Sequence, residues 1–259
     1  MYAKSIEEKP IVIFIPSYNN EKWCQKNLLS TIQNYSNYRI IYVDDCSTDS
    51  TALEVEHFKQ DFPDHAPKVT FIKNNTRKGV VANAYAVISE CKDEEIIVSL
   101  DGDDFLYNEH VLEKINQVYS SSPNIWLTYG SITTWPHDAP VFKTHMIPNE
   151  FIESFDGIRR WPYVAGHLRT FYARLFKKIR KESLLYNNEF YSMAGDIAIM
   201  TPMMEMARER HAFIPDILYI YNTSNPLSDH NVNRKLQLDL HNYIQELAPY
   251  ERLDDLWNY

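Results

Sequence analysis

Four short apolar runs punctuate the first hundred residues: IVIFI (11–15), YRIIYV (38–43), KVTFI (68–72) and EIIVSL (95–100). The first is short, β-branched and bounded by Pro10 and Pro16, which suits a strand buried on both faces, and the other three repeat the strand-like pattern. Segments with helical patterning separate them, at roughly 21–34, 50–60 and 79–90. This β-α-β-α succession constrains the chain to a largely parallel sheet with right-handed crossovers and helices on its faces. Ligands of such sheets bind beyond the carboxyl ends of the strands, where strand order reverses. Three polar clusters fall there: PSYNN (16–20), DDCSTD (44–49) and DGDD (101–104).

Further on, NEHVLEKINQVY (108–119) has a helical pattern and NIWLTYGSI (124–132) that of a strand. Residues 134–166 hold Pro136, Pro140, Pro148 and Pro162 with Trp135 and Trp161, a composition that predicts a structured loop or lid. HLRTFYARLFKKI (167–179) and AGDIAIMTPMMEMA (194–207) are predicted as helices, DILYIYN (216–222) as a strand and 233–247 as a final helix. That last helix is expected to pack on the core, with a dimer contact or a membrane-surface anchor as alternatives.

The 44% apolar content supports a sizeable core. With 26 basic and 35 acidic residues the formal charge is -9, which argues against nucleic acid or an anionic membrane as the main partner. Cys24, Cys46 and Cys91 are odd in number and widely spaced, so neither a disulfide framework nor a zinc knuckle is suggested. MYAKSIEEKP lacks an apolar leader core and no run approaches a membrane span. A soluble, cytoplasmic chain is the expectation, with peripheral membrane contact left open.

Asp101, Asp103 and Asp104 crowd like charges directly behind an apolar run. Such repulsion needs a cation or a hydrogen-bond network to offset it. A turn or helix cap is the ordinary reading of such a cluster. Oxygen ligands in this number also suit a hard cation such as Mn²⁺ or Mg²⁺. An EF-hand fits poorly, because the glycine falls between the first two acids.

With these clusters in place, the sequence resembles glycosyltransferase family 2, the inverting nucleotide-sugar transferases of the GT-A fold. The matching stretches are IFIPSYNN (13–20), IIYVDDCSTDST (40–51), NNTRKGVVANAYA (74–86), IIVSLDGDD (96–104) and AGDIAIM (194–200). The resemblance implies one α/β GT-A domain over 1–259. Its nucleotide-sugar half would span 10–131, its acceptor and base half 132–232, and a helical tail 233–259. It assigns Asp45 to the nucleotide base, over a floor formed by Pro16, Ser17 and Tyr18, with Arg77 or Lys78 near the nucleotide or its diphosphate. Asp101, Gly102, Asp103 and Asp104 would form the metal and diphosphate motif, completed by His230. Asp196 falls where such enzymes keep the catalytic base. Gly195 departs from the acid that commonly precedes that base, and Cys46 stands where glycine is frequent.

Plainer roles compete at several positions. Asp49 and Ser47 suit capping of the helix near residue 50, and Asp196 suits a helix N-terminus. Arg169, Arg174, Lys177 and Lys178 suit an exposed helix face, whereas His167 and Arg169 alternatively belong to a site meeting the acceptor or diphosphate. The implied reaction moves a sugar from a UDP- or GDP-sugar to a hydroxyl of a glycan, lipid, protein or small molecule. A silent nucleotide-sugar or glycan binder of the same fold is one alternative. A sugar-nucleotide pyrophosphorylase is another, but PSYNNEKW lacks the glycine-rich basic loop it would need.

Overall fold

In a computed structural model, residues 7–136, 144–161, 165–227 and 233–258 are described. Among them, β1 (Ile11–Ser17), α1 (Glu21–Ser30), β2 (Tyr38–Asp44), α2 (Thr51–Asp61), β3 (Val69–Lys73), α3 (Val80–Ser89) and β4 (Ile96–Ser99) follow in order. The short β5 (Phe105–Leu106), α4 (Val111–Ser121) and β6 (Leu127–Trp135) come next. Short helices α5 (Asn149–Glu153) and α6 (Gly157–Arg160) precede β7 (Arg169–Tyr172) and α7 (Ala173–Phe176). A small hairpin, β8 (Leu185–Tyr186) with β9 (Glu189–Phe190), leads to α8 (Gly195–Ala207), β10 (His211–Asn222) and α9 (Arg234–Glu246).

One sheet runs β3-β2-β1-β4-β7-β6-β10-β5. The β1–β2, β2–β3, β1–β4 and β6–β10 pairs are parallel, whereas β7 runs antiparallel to both β4 and β6. The chain travels outward from β1 to β3 and then returns to the other side of β1 as β4. The carboxyl ends of β1 and β4 therefore flank the switch point where a crevice opens.

Every residue of β1 is buried, as an unalternating run between two helical layers requires. Each Ile or Val so buried contributes about 1.5–3 kcal/mol. On the distal side, the Tyr119 hydroxyl of α4 lies 2.9 Å from Thr170 Oγ1, which in turn lies 2.7 Å from Thr128 Oγ1. This buried chain fastens α4 to β7 and β6. The C-terminal segment is tied in as well: Arg159 of α6 donates to Glu205 of α8 at 2.9 Å, and Tyr250 N–H donates to the same carboxylate oxygen.

Two expectations need correction. The first helix ends at Ser30, not near 34. The stretch 167–179 is not one helix: residues 169–172 form β7, and only Ala173–Phe176 turn helical. Leu168, Phe171, Tyr172, Leu175, Phe176 and Ile179 do have helical spacing. All six are buried, however, and periodicity cannot separate strand from helix in a segment buried on every side.

Candidate active site

The end of β1 and the acidic turn after β4 are built against each other. Gly102 N–H donates to Pro16 O at 3.1 Å. A Cβ on Gly102 would stand 2.6 Å from both Cβ and Oγ of Ser17, so only glycine permits this approach. Ser17 Oγ accepts from the Tyr42 hydroxyl (2.8 Å) and from Asn20 Nδ2 (3.1 Å). Asn27 Nδ2 reaches the carbonyls of Asp101 (2.9 Å) and Asp104 (2.7 Å), clamping the turn from α1.

The three acids of the turn face different surroundings. Asp104 is fully buried, and its carboxylate accepts from the Tyr219 hydroxyl (2.6 Å) and Asn222 N–H (2.7 Å). Burial and the charges of Asp103 and Asp101 push it well above the usual range. Asp103 accepts from Asn225 Nδ2 at 2.7 Å and is pushed up to about 6 by burial and by the Asp101 charge. Asp101 lies 3.3 Å from His167 Nε2. Although burial favours its neutral form, the His167 hydrogen bond and the positive charge of Arg169 hold it below the usual range. The His167 ring stacks on Tyr219 with centroids 4.5 Å apart, and burial together with Arg169 lowers its basicity.

Ligand atoms of Asp101, Asp104 and His167 all lie within 4.8 Å of one another. Two carboxylates and an imidazole, beside a third acid raised by burial and by the Asp101 charge, fit a divalent cation, since a cation would offset the clustered negative charge. His230 lies outside the described residues.

The second acidic turn is different. Asp45 is buried, and its two oxygens accept from Asn74 Nδ2 (2.8 Å), Lys78 N–H (2.9 Å) and Gly79 N–H (2.8 Å). Burial works to raise this carboxyl, but hydrogen bonds from Asn83, Lys78, Gly79 and Asn74 outweigh it and leave it lowered. Gly79, at φ 86°, makes the bend that brings those amides round. A small cavity of about 90 Å³ is lined here by Tyr18, Asp45, Arg77 and Asn83, among others. The Arg77 guanidinium lies 3.8 Å over the Tyr18 ring, a cation-π contact that shapes the mouth.

A larger cleft of about 290 Å³ shares Pro16, Tyr18 and Arg77 with that cavity. It extends past Asp101, Gly102, Asp103 and Asp104 to His167, Arg169 and Asp196. Asp196 sits in the first turn of α8, where its Oδ1 accepts from Ile197 N–H at 2.9 Å. Its Oδ2 accepts from Arg169 Nη2 at 3.0 Å. The residues singled out at 16–18, 45, 77, 101–104 and 196 thus gather on two adjoining hollows at one edge of the sheet. Lys78 touches Asp45 through its backbone alone among the contacts seen. Asp49 accepts from Thr51 N–H and from Glu21 N–H, joining the starts of α2 and α1. Tyr219, Asn222 and Asn225 went unnoticed in the sequence, where only the strand DILYIYN and the motif NPLSDH marked their neighbourhood.

A family model described as glycosyl transferase family 2 matches residues 12–182. The chain belongs to that family. An uncharacterized glycosyltransferase of Haemophilus influenzae is 35% identical over 118 residues, which cover 45% of this chain and 37% of that one. Among solved structures, the mannosyltransferase PcManGT from Pyrobaculum calidifontis, in complex with GDP-Man and Mn²⁺, is similar at a TM-score of 0.64 and 18% identity. The match covers 94% of this chain and 66% of that protein. S. aureus TarS is similar at a TM-score of 0.63 and 17% identity, over 90% of this chain and 40% of TarS. TarS 1-349 in complex with UDP-GlcNAc matches at 0.60 and 16%, over 83% and 59% of the two chains. At these identities the structures show a shared GT-A fold. The present chain spans well under half the length of its H. influenzae relative and of TarS. No helix among the described residues is long and apolar enough to cross a membrane.

Proposed function

We propose that the chain is an inverting glycosyltransferase that moves a sugar from a UDP- or GDP-sugar to an acceptor hydroxyl. The observation that carries this reading is that Asp101 and Asp196 line one cleft whose other end adjoins the Asp45 cavity. A donor laid along that path would place its base against Asp45, Tyr18 and Arg77 and its diphosphate at the acidic turn. The anomeric carbon would then face Asp196. Complexes of PcManGT with GDP-Man and of TarS with UDP-GlcNAc support the donor class.

Asp101, with Asp103 or Asp104 and His167, would hold Mn²⁺ or Mg²⁺, which supplies charge neutralisation at a departing diphosphate. The chain's own part is orientation and proton transfer. Pro16, Ser17 and Gly102 form a rigid floor that brings the donor near its partner groups, and such positioning accounts for much of an enzyme's acceleration. Asp196 takes the proton of the acceptor hydroxyl as that oxygen bonds to the anomeric carbon from the face opposite the breaking bond to the diphosphate, so configuration inverts. General-base assistance contributes on the order of 10²–10⁴ in rate.

The test is hydrolysis of UDP-N-acetylglucosamine and GDP-mannose with Mn²⁺, water standing in for the acceptor hydroxyl. Asp196→Asn is expected to lower kcat by roughly 10²–10⁴ while leaving the donor KM nearly unchanged. Full turnover in that variant overturns the assignment of the base.

A further inference from the structure

Arg169 opens β7, and His167 stands two residues before it in the segment that enters the strand. Antiparallel pairing with β4 sets Arg169 opposite Ser99. Two residues along, His167 meets Asp101. The segment that braces the acidic turn through His167 therefore also delivers the Arg169 guanidinium to α8. That guanidinium is anchored at two points: Nε donates to Ala165 O at 2.9 Å, and Nη2 donates to Asp196 Oδ2 at 3.0 Å. The Arg169 side chain is only 11% exposed, whereas that of Asp196 is 37% exposed and lines the cleft.

We propose that Arg169 is a positioning residue that fixes the plane of the Asp196 carboxylate so that its unused lone pairs face the acceptor. This rests on the reading of Asp196 as general base. A carboxylate has about four lone-pair sites. One on Oδ2 is taken by Arg169 and one on Oδ1 by the Ile197 amide. The two donors come from different elements, β7 and α8, so rotation about the Cβ–Cγ bond would break one bond or the other. Without Arg169, the Ile197 amide alone would leave an exposed carboxylate free to swing. Lysine does not substitute well, because a point charge lacks the planar fork that serves Ala165 O and Asp196 together.

The experiment measures donor hydrolysis by the full chain, with UDP-N-acetylglucosamine and GDP-mannose in the presence of Mn²⁺. Arg169→Ala is expected to lower kcat about 100-fold, the loss typical of a misplaced reacting group, with the donor KM within about threefold. Added guanidinium chloride, at tens of millimolar, is expected to restore about tenfold of that rate in Arg169→Ala but none in Asp196→Asn or the wild type. Arg169→Lys should fall between. If the alanine variant melts early, Arg169→Gln carries the same rescue test. A kcat within about threefold of wild type, or a loss that guanidinium does not rescue, overturns the proposal while leaving the glycosyltransferase reading intact. A wild type that hydrolyses neither donor overturns both.

Discussion

The two acidic turns after β2 and β4 are alike in sequence, DD in one and DGDD in the other, yet they are held in opposite ways. Asp45 is surrounded by donors, two of them backbone amides, and its carboxyl is lowered despite burial. The turn after β4 concentrates acids faster than it supplies donors. Asp103 is raised to about 6 and Asp104 is raised as well, each by burial and then by neighbouring charge. One turn is thus complete as built, a fixed wall. The other holds two acids raised first by burial and then by neighbouring charge, and a cation would offset both effects.

The largest effect that separates the two turns is expected in nucleotide binding. Asp101→Asn should abolish the Mn²⁺-dependent gain in UDP or GDP affinity measured by calorimetry. The loss should be at least the roughly 10–100-fold seen when a metal's outer partners are removed. Asp45→Asn should weaken binding with and without Mn²⁺ by a similar factor. If both variants keep the Mn²⁺ gain, the distinction between the turns collapses.

Next in size is a stability difference. Asp45→Ala strands the amides of Lys78 and Gly79 and the Asn74 side chain. The Asn74 side chain is buried whereas the two amides are part-buried, and a buried unpaired donor costs about 1–3 kcal/mol, so a loss of about 1–3 kcal/mol in urea unfolding is expected. A loss below about 0.5 kcal/mol, the size of an ordinary surface change, would show that Asp45 is not the keystone of its turn.

The smallest effect is in the pH dependence, and it has opposite signs at the two turns. Asp103 titrates near 6 when folded and near 4 when unfolded. The native state binds the extra proton in that window, so this group's contribution makes stability fall as pH rises from about 4 to 6. Asp103→Asn should therefore gain stability over wild type above about pH 6, and lose that gain as pH falls toward 4. Asp45, with a lowered folded value, stabilises above its unfolded value near 4. That contribution disappears as pH falls through the folded value. Urea titrations of wild type, Asp103→Asn and Asp45→Asn at several pH values would show the two opposed slopes, and parallel curves would contradict them.

Much of this is legible in the sequence. Unalternating β-branched runs at 11–15, 38–43 and 96–98 mark buried strands because their pattern is local. The polar clusters mark the crevice because strand ends in such sheets converge there. β7 was not legible. Its neighbours in the sheet, β4 and β6, lie some 70 and 40 residues away in sequence, and its apolar spacing fits a helix equally well. With β7 misassigned, the contacts of His167 with Asp101 and of Arg169 with Asp196 stayed hidden.

The sequence by itself determined the alternation of strands and helices over the first hundred residues and which loops carry acid, because side-chain pattern and turn chemistry act over a few residues. Tertiary structure alone decided which acids are satisfied and which repel. Tyr219 reaches Asp104 across 115 positions, Asn225 reaches Asp103 across 122, and Arg169 reaches Asp196 across 27. A carboxylate's charge is set by donors and burial in space, and those are fixed only once distant segments have packed.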